Sequence, residues 1–207
     1  MFLSGFFKIV IQGENVMMKK QHQWDTTWLL FARMMADRHS KCASKSVACV
    51  IVKDEKPISI GINGTPSQHV NCNEIYLKQD NILYKAESEG KTDALSIVHN
   101  GQVFYRCNNQ EEHHEWSKMN EIHAEINALG KLAADSTSAR HATAYVTHSP
   151  CHACSLALIA SKIDRVVYST GYEYGDGLTL MRQSGIEVLH RPLTEEYFLE
   201  RIFDKDL

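Results

Sequence analysis

The chain has 207 residues, of which 43% are hydrophobic and 23% are charged, and this ordinary globular composition suffices for one domain. Its formal net charge of −3 supplies no basic field for holding a phosphate backbone, which argues against a nucleic-acid partner. Six cysteines without a convincing secretory signal favour a reducing cytoplasm over a disulfide-bonded extracellular domain.

The N-terminal stretch 2–11 is apolar, but it is too short to span a membrane and a lysine interrupts it, so we expect no membrane partner. It also lacks the basic start and the small-residue cleavage site of a signal peptide. Met17 and Met18 precede a lysine pair, where an ordinary soluble protein could begin. We therefore expect residues 1–17 to be an N-terminal extension or an upstream start, and residues 18–207 to form one domain.

Apolar residues recur at helical spacing from Asp25 to His39, which predicts a first helix. Two apolar runs, Ser46 to Val52 and Ile58 to Ile62, are joined by a charged turn, a pattern typical of a β-hairpin. From about residue 68 to 118 the periodicity fades, and only Asp93 to Val98 suggests a short helix. An unstructured loop of about fifty residues is too long for a compact domain, so we expect an insertion that another feature holds in place.

The remaining elements alternate between helices and strands. They are a helix from Glu121 to Ala134, a strand from Ala142 to Thr147, a helix that ends at about Ser161, strands from Arg165 to Ser169 and from Ile186 to His190, a helix from Gly177 to Ser184 between those strands, and a closing helix from Thr194 to Phe203. A hairpin followed by this alternation predicts an α/β domain in which helices cover a mixed sheet, and it leaves the strand order open.

The sequence contains His123-Ala-Glu125 and, after a predicted strand, Pro150-Cys151-x-x-Cys154, which is the signature of zinc-dependent nucleobase deaminases. Two thiolates and one imidazole give Zn²⁺ three ligands and leave the fourth position for water, as in catalytic zinc sites. Zinc lowers the pKa of that water from about 15.7 to about 7. We therefore predict that His123, Cys151 and Cys154 bind a catalytic zinc, and that Glu125 moves protons between the water and the base.

The spacing of the motif predicts where it lies in the fold. The two cysteines are three residues apart, so they share one face in the first turn of a helix, whose N-terminus lowers thiolate pKa values. Pro150 suits the first helical position, because its missing N–H needs no partner there. His123 and Glu125 can converge only off a helix end, so we expect His123 to open its helix, with Asn120 as the candidate cap.

A purely structural zinc site is the alternative from a different class of protein. A zinc ribbon requires a second Cys-x-x-Cys, and the sequence contains none. This alternative also leaves Glu125 without a role. Replacing Glu125 by alanine separates the two readings, because only an enzyme would lose turnover while keeping its metal.

Beyond the zinc motif, the sequence resembles the phage-type deoxycytidylate (dCMP) deaminases from about Trp24 to His190. The matching segments are Ser40-Lys41-Cys42, Gly61-Ile62-Asn63-Gly64-Thr65-Pro66, Val70-Asn71-Cys72, His113-x-x-Trp116, Asn120 to Ala128 and Ser149-Pro150-Cys151-x-x-Cys154. The resemblance implies the cytidine-deaminase-like fold, a three-layer α/β/α arrangement with a five-stranded mixed sheet. It also implies deamination of dCMP to dUMP, the precursor of dTMP, in which Glu125 protonates N3 of the base and then the departing ammonia.

The resemblance assigns two substrate contacts. Asn63 matches the asparagine that contacts the sugar in this superfamily, and Tyr172 matches an aromatic residue near the nucleotide in the phage enzymes. Tyr172 follows a strand in a glycine-flanked loop, which is a common place for ligand contacts. Packing of this ring on its neighbours is the alternative.

Phage-type members carry a second zinc, whose ligands match Cys42, Cys72, His113 and Glu121. Four protein ligands make a closed structural site, which would tie the insertion to the first helix and to the active-site helix. The alternative is that both cysteines are buried thiols and His113 is a surface residue. The adjacent His114 could also serve as the ligand.

Family members are typically hexamers that dCTP activates, together with Mg²⁺, and that dTTP inhibits at a site near the Asn-Gly-x-Pro loop. Gly64 and Thr65 retain this loop, so the resemblance implies nucleotide effectors and a homo-oligomer, located in the host cytoplasm if the source is viral. The sequence departs from the family at His152, where proline is common, and at Lys162, where glycine often stands. Deamination of dCTP, a free nucleoside or tRNA adenosine stays an alternative, although an RNA editor should have a basic groove.

Overall fold

The computed structural model describes residues 3–86, 95–108, 110–171 and 176–193, with side chains from residue 20 onward. In chain order the elements are α1 (Leu3–His39), β1 (Ala48–Lys53), β2 (Lys56–Ile62), α2 (Cys72–Ile75), β3 (Tyr76–Gln79), β4 (Ile82–Lys85), β5 (Ser96–His99), β6 (Gln102–Arg106), α3 (Glu111–Asn120), α4 (Ala124–Ala134), β7 (Thr143–His148), α5 (His152–Ala160), β8 (Arg165–Thr170), α6 (Asp176–Gln183) and β9 (Glu187–His190).

Five strands form one mixed sheet in the order β2-β1-β7-β8-β9. β1 is antiparallel to both β2 and β7, whereas β7, β8 and β9 run parallel to one another. The predicted five-stranded mixed sheet is therefore confirmed, and β1 and β2 are the predicted hairpin. The carboxyl ends of the three parallel strands lie at one edge of the sheet, which is where open α/β sheets bind their ligands.

Helices cover both faces of this sheet, as the three-layer arrangement requires. Leu29 of α1 packs with Val50, Tyr145 and Val167 on one face. The opposite core contains Ala128, Leu158 and Met181 with the alternate residues of the same strands, including Cys49 and Val146, and lies under α4, α5 and α6. Burial of both faces explains why the strands are nearly continuous apolar runs.

A buried ion pair attaches α1 to the sheet. The Asp25 carboxylate accepts two hydrogen bonds from the Arg165 guanidinium, at 2.6 and 2.7 Å, and one from the Tyr145 hydroxyl at 3.0 Å. Burial by itself raises the pKa of Asp25, but the hydrogen bonds from Arg165, Gln21 and Tyr145 outweigh it and lower the pKa below its usual value. Asp25 is therefore held as a carboxylate beneath the first helix.

The insertion contains more regular structure than the sequence indicated. Its four strands form a second, antiparallel sheet in the order β3-β4-β6-β5. The helix predicted from Asp93 to Val98 is wrong over its described part, because Ser96–His99 is strand β5. Ile97 and Val98 are β-branched, and Asn100 and Gly101 adopt positive φ angles of 50° and 79° that close a hairpin with β6.

The helix predicted from Glu121 to Ala134 is divided in two. α3 ends at Asn120 and α4 begins at Ala124, because Glu121 and His123 have extended backbone angles. Asn120 is therefore not the cap of α4, and its side-chain amide donates to the Trp116 carbonyl at 2.7 Å instead. We call residues 121–123 the α3–α4 connection.

The structure tests the predictions made for the two ends of the chain only in part. α1 begins at Leu3, so the backbone of residues 3–17 continues the helix that was predicted from Asp25. The division of the chain at residue 17 stays a prediction, and the closing helix predicted from Thr194 to Phe203 lies outside the described residues. Among the described residues, no helix combines the length and apolar character that a membrane crossing needs.

Candidate active site

Two helix N-termini meet at the carboxyl end of β7. His123 is the residue immediately before α4 and Cys151 is the residue immediately before α5, both with extended backbone angles. The backbone therefore places His123 and Cys151 beyond the ends of their helices, as the spacing of the motif predicts. Pro150 lies one residue outside the cap of α5, so its predicted place at the first helical position is wrong. We call His123, Cys151 and Cys154 the motif cluster.

The donor atoms of the motif cluster fit zinc. His123 Nδ1 lies 3.5 Å from Cys151 Sγ and 3.4 Å from Cys154 Sγ. All three donor atoms lie within 4.8 Å of one another. Tetrahedral zinc with Zn–S of about 2.3 Å and Zn–N of about 2.0–2.1 Å requires sulfur–nitrogen separations of about 3.5 Å. The two sulfur–nitrogen separations therefore fit tetrahedral zinc.

The motif cluster is open on one side and closed on the other. His123 is exposed and Cys151 is half-buried, whereas Cys154 is 1% exposed. Hydrogen bonds with Cys154 and His123 lower the pKa of Cys151 to about 3, although burial opposes them. The same hydrogen bond with Cys151 raises the pKa of His123. The Cys151 thiolate is thus favoured before any metal arrives, whereas the hydrogen bond with Cys151 and burial raise the pKa of the Cys154 thiol.

Glu125 lies in the first turn of α4, two residues after His123, and is 4% exposed. Burial raises the pKa of Glu125, and the nearby charge of Cys151 raises it further. A carboxyl group with a raised pKa holds a proton closer to neutral pH and can pass it on, which suits general acid–base chemistry. The structure therefore brings the predicted proton carrier to the closed side of the motif cluster.

Neighbouring elements fix the loop that carries Cys151. Ser155 Oγ donates to the Cys151 carbonyl at 2.9 Å, and Ser149 N donates to the Thr170 carbonyl at 2.8 Å. Gly177 at the start of α6 packs against this turn so closely that an added Cβ would lie 3.0 Å from the Pro150 carbonyl. α6 thus supports the cysteine loop from behind.

A second group of donor atoms lies where the insertion meets the end of α1. His113 Nε2 lies 3.2 Å from Cys72 Sγ and 3.9 Å from Cys42 Sγ, and we call these three residues the insertion cluster. The backbone N–H of Ala43 donates to Cys72 Sγ at 3.3 Å. A hydrogen bond with Cys72 lowers the pKa of Cys42 to about 3. His114, the alternative ligand, is exposed and lies beside Glu111 and Glu115 instead.

Glu121, the predicted fourth ligand, interacts electrostatically with Cys42 and His113, but it is not among the three residues whose donor atoms lie within 4.8 Å of one another. Burial raises the pKa of Glu121 to about 7, and the charge of Cys42 contributes to the rise. One carboxylate oxygen accepts a hydrogen bond from Ser117 Oγ. The other, Oε1, is buried and has no hydrogen-bond partner among the described residues. A buried acceptor without a partner is costly, and a cation would satisfy it.

The predicted sugar contact, Asn63, is engaged with the protein itself. Its Oδ1 accepts from Ser40 Oγ at 2.7 Å and from the Val47 N–H at 2.9 Å, and its Nδ2 donates to the Lys45 carbonyl at 2.9 Å. Asn63 therefore holds the loop between α1 and β1. Because an amide nitrogen carries two hydrogens, a sugar contact is compatible with this arrangement and stays a prediction.

The remaining residues are those of the predicted effector loop, His152 and the predicted substrate contact Tyr172. Gly64 forms a two-way backbone bridge with Ile122, at 2.8 and 3.2 Å, so the predicted effector loop contacts the α3–α4 connection. Thr65 Oγ1 is buried and has no hydrogen-bond partner among the described residues. His152 is exposed at the start of α5. Tyr172 lies outside the described residues.

Three residues that the sequence did not predict lie near the site or join the elements that carry it. Burial, with the charges of Lys45 and Arg33, lowers the pKa of His148 to about 4, so this histidine at the end of β7 is neutral. Gly61 and Asn127 join β2 to α4. A glycine inside an apolar strand was a visible sign of close backbone approach, whereas nothing local distinguished Asn127.

Comparison with known proteins decides the family. A family model described as the cytidine and deoxycytidylate deaminase zinc-binding region matches residues 22–170. The chain belongs to this family. The resemblance inferred from the motifs is thus confirmed, and the protein is a zinc-dependent hydrolase of the cytidine and deoxycytidylate deaminase family.

Phage proteins are among the relatives of this deaminase. The deoxycytidylate deaminase of Enterobacteria phage T4 is 35% identical over 167 residues, which cover 76% of this chain and 85% of the phage protein. That of Mycobacterium phage D29 is 33% identical over 145 residues, covering 70% and 93%. The crystal structure of dCMP deaminase from cyanophage S-TIM5 in complex with dCMP and dUMP superimposes with a TM-score of 0.56 at 26% identity, covering 80% of this chain and 95% of that one.

Proposed function

We propose that this enzyme deaminates dCMP to dUMP by hydrolysis. The observation that carries the proposal is the buried Glu125 beside the His123–Cys151–Cys154 donor set. The substrate follows from the relatives, which are named deoxycytidylate deaminases, and from the cyanophage enzyme, whose structure contains dCMP and dUMP. A structural zinc module would give no reason to bury a carboxyl group next to an open ligand set.

The residues of the site divide the reaction between them. His123, Cys151 and Cys154 would hold the zinc, which would act as a Lewis acid and make water nucleophilic at neutral pH. Glu125 would accept a proton from the water as its oxygen bonds to C4 of the cytosine ring, and would deliver that proton to N3. It would then carry the proton of the new C4 hydroxyl group to the amino group, so that the C4–N bond breaks and ammonia leaves. Its burial serves this role, because burial raises the pKa of Glu125 and so makes its carboxylate a better proton acceptor. Asn63 holds the neighbouring loop and contacts the sugar.

A second, structural zinc is also proposed, with Cys42, Cys72, His113 and Glu121 as ligands. The donor distances of 3.2 and 3.9 Å around His113 bracket the separation that tetrahedral zinc requires. The unpartnered Glu121 Oε1 would complete the set of four. Such a site would join α1, the insertion and the α3–α4 connection, which explains how the insertion is held in place.

The physiological proposal is that the dUMP formed supplies dTMP synthesis in the cytoplasm of a host cell, and that dCTP with Mg²⁺ activates the enzyme while dTTP inhibits it. The Gly64–Ile122 bridge supports the regulatory part, because it joins the predicted effector loop to the residue before His123. A nucleotide that moved Gly64 or Thr65 would displace the backbone next to a zinc ligand.

We further propose that the enzyme is a homo-oligomer, with the hexamer expected from the family. α5 contains no Asp, Glu, Lys or Arg, and its exposed residues are His152, Ala153, Leu156 and Ala160. Leu156 is 49% exposed, and Ile126 on the neighbouring α4 is 39% exposed. A helix with so few polar residues is normally covered, and a patch without Asp, Glu, Lys or Arg can meet its own copy without repulsion between such charges. Light scattering after size-exclusion chromatography measures the number of subunits.

The decisive experiment measures ammonia release from dCMP by the purified, zinc-loaded protein, alongside Glu125→Ala. We expect the wild type to turn over dCMP and the variant to lose turnover while retaining zinc. Full activity in the variant would refute the mechanism. Parallel assays with dCTP, deoxycytidine and a tRNA substrate test the alternatives, and activity on one of these alone would reassign the substrate. Adding dCTP and Mg²⁺ to the dCMP assay tests activation.

A further inference from the structure

β2 is an outer strand of the main sheet, so the carbonyl groups on its free side have no strand partner. Two side chains of α4 bind these groups. Asn127 Nδ2 donates to the Ile62 carbonyl at 2.7 Å, and Lys131 Nζ donates to the Ile60 carbonyl at 2.7 Å. Four helical residues rise about 6 Å and two strand residues about 6.6 Å, so the two spacings match. α4 therefore has a defined register on β2.

The end of β2 also contacts the chain on the other side of the zinc ligand. Gly64 and Ile122 exchange two backbone hydrogen bonds, at 2.8 and 3.2 Å. Within α4, the Asn127 N–H donates to the His123 carbonyl at 2.9 Å. His123 and Glu125 consequently lie between two attachments to the same strand end, one through Ile122 and one through the Asn127 side chain.

We propose that Asn127 is a positioning residue for the deamination, which sets the first turn of α4 so that His123 and Glu125 face one reaction centre. The Asn127 side chain acts through the Ile62 carbonyl and belongs to neither the ligand set nor the proton pathway. Its hydrogen bond is at the catalytic end of α4, whereas that of Lys131 is one turn further along a helix whose start is already fixed. The activity part of this inference rests on the proposed function.

The reason to expect a kinetic effect is geometric. A misplacement of about 1 Å between catalytic groups can lower a rate by about 100-fold. Asn127→Asp keeps the shape of the side chain but turns a carboxylate oxygen toward the Ile62 carbonyl in place of the N–H donor. Two acceptors repel each other, so the attachment is lost without creating a cavity. We expect kcat for dCMP to fall by about 10- to 100-fold while KM changes by less than about threefold.

Lys131→Met is the matched control, because it removes the same kind of hydrogen bond to the same strand and retains most of the aliphatic stem. We expect its kcat to stay within about threefold of wild type. The second readout is the absorption spectrum of the cobalt-substituted proteins, which reports the ligand geometry independently of turnover. Asn127→Asp should alter the cobalt bands, and Lys131→Met should leave them unchanged, with both proteins assayed well below their unfolding temperatures.

The outcomes are separable. Reduced kcat with altered cobalt bands in Asn127→Asp, but not in Lys131→Met, supports the positioning role. Wild-type kcat and wild-type cobalt bands in Asn127→Asp overturn it, as do equal losses in both variants, which would indicate general support of the helix. If the wild type itself does not deaminate dCMP, the proposed function fails, and the cobalt spectra alone still decide whether Asn127 orients the ligands.

Discussion

At Gly61 the backbone of β2 lies against the backbone of α4, and this close approach provides a test of the architecture. A Cβ added there would lie 2.9 Å from the Ala128 methyl group and still closer to the Ala128 nitrogen. Its distance from the Ala124 carbonyl oxygen would be about 1 Å shorter than 3.0 Å, the shortest distance that real Cβ atoms keep from a neighbour. The obstacle is backbone, so no side-chain rotation can relieve the clash.

Gly61→Ala must therefore push α4 away from β2 by about 1 Å, and two consequences follow. Overpacking of a tight core costs about 1–3 kcal/mol of unfolding free energy, and we expect the upper end because the helix cannot yield locally. The same shift lengthens the 2.7 Å Asn127–Ile62 hydrogen bond beyond bonding distance and displaces Glu125 relative to the cysteines. A displacement of that size predicts a loss of kcat of about 100-fold.

The assay combines thermal unfolding with ammonia release from dCMP for Gly61→Ala and for a control, Gly130→Ala. Gly130 lies within α4 itself, but an added Cβ there meets nothing within 4 Å. Alanine at this helical position should be neutral or stabilise the fold by about 0.5–1 kcal/mol. If Gly61→Ala unfolded at the wild-type temperature and kept wild-type kcat, the close approach of α4 to β2 and the reasoning built on it would be wrong.

Three further predictions follow from the described contacts. Asp25→Asn removes the charged partner of the largely buried Arg165, and we expect it to lower the unfolding free energy by about 3 kcal/mol at neutral pH. This is the lower end of the range for a broken buried pair, because Glu187 also contacts the Arg165 guanidinium at 3.0 Å. Chemical denaturation measures the difference. Since the folded pKa of Asp25 is lowered, its stabilisation is complete above the unfolded value of 3.8 and is lost as the pH falls through the lowered pKa, so the wild type and Asp25→Asn should converge in stability only in acid. Lys162→Gly should raise the unfolding free energy by about 0.5–1 kcal/mol, because Lys162 has a φ of 60° at the end of α5, where glycine carries no Cβ penalty; a lower melting temperature would mean that the lysine stem packs usefully. Cys72→Ser should halve the zinc content from two ions to one per chain while lowering thermal stability, and unchanged metal content in a metal analysis would remove the second site.

The motif cluster was predictable because its chemistry depends on short spacings. Cys-x-x-Cys at a helix start and His-x-Glu at another are defined within four residues each, and zinc requires little more than their convergence. The same holds for the main sheet, whose strands are apolar runs separated by clear turns. Lys162 shows what the sequence does not reveal. The sequence shows a lysine where the family often has glycine, but only the structure shows that this residue has a positive φ.

The interior of the insertion and the break between α3 and α4 were not predictable in the same way. The segment from Asn120 to Glu125 has no residue that forbids a helix, and propensity alone continues one through it. What interrupts the helix is a contact with Gly64, which is distant in sequence and exchanges two backbone hydrogen bonds with Ile122. The strands of the second sheet are short and half-exposed, so their periodicity is weak, and pairing rather than pattern specifies them.

The α3–α4 connection joins these two observations. Glu121 at one end lies by the insertion cluster, His123 at the other end belongs to the motif cluster, and Ile122 between them is bonded to the end of β2. An extended segment of three residues can move little when its middle residue is held by two hydrogen bonds. Order in the insertion can therefore act on the predicted zinc ligand His123, which lies only two residues from Glu121. The insertion, which in the sequence looks like an addition to the deaminase domain, is physically part of the support of its active site.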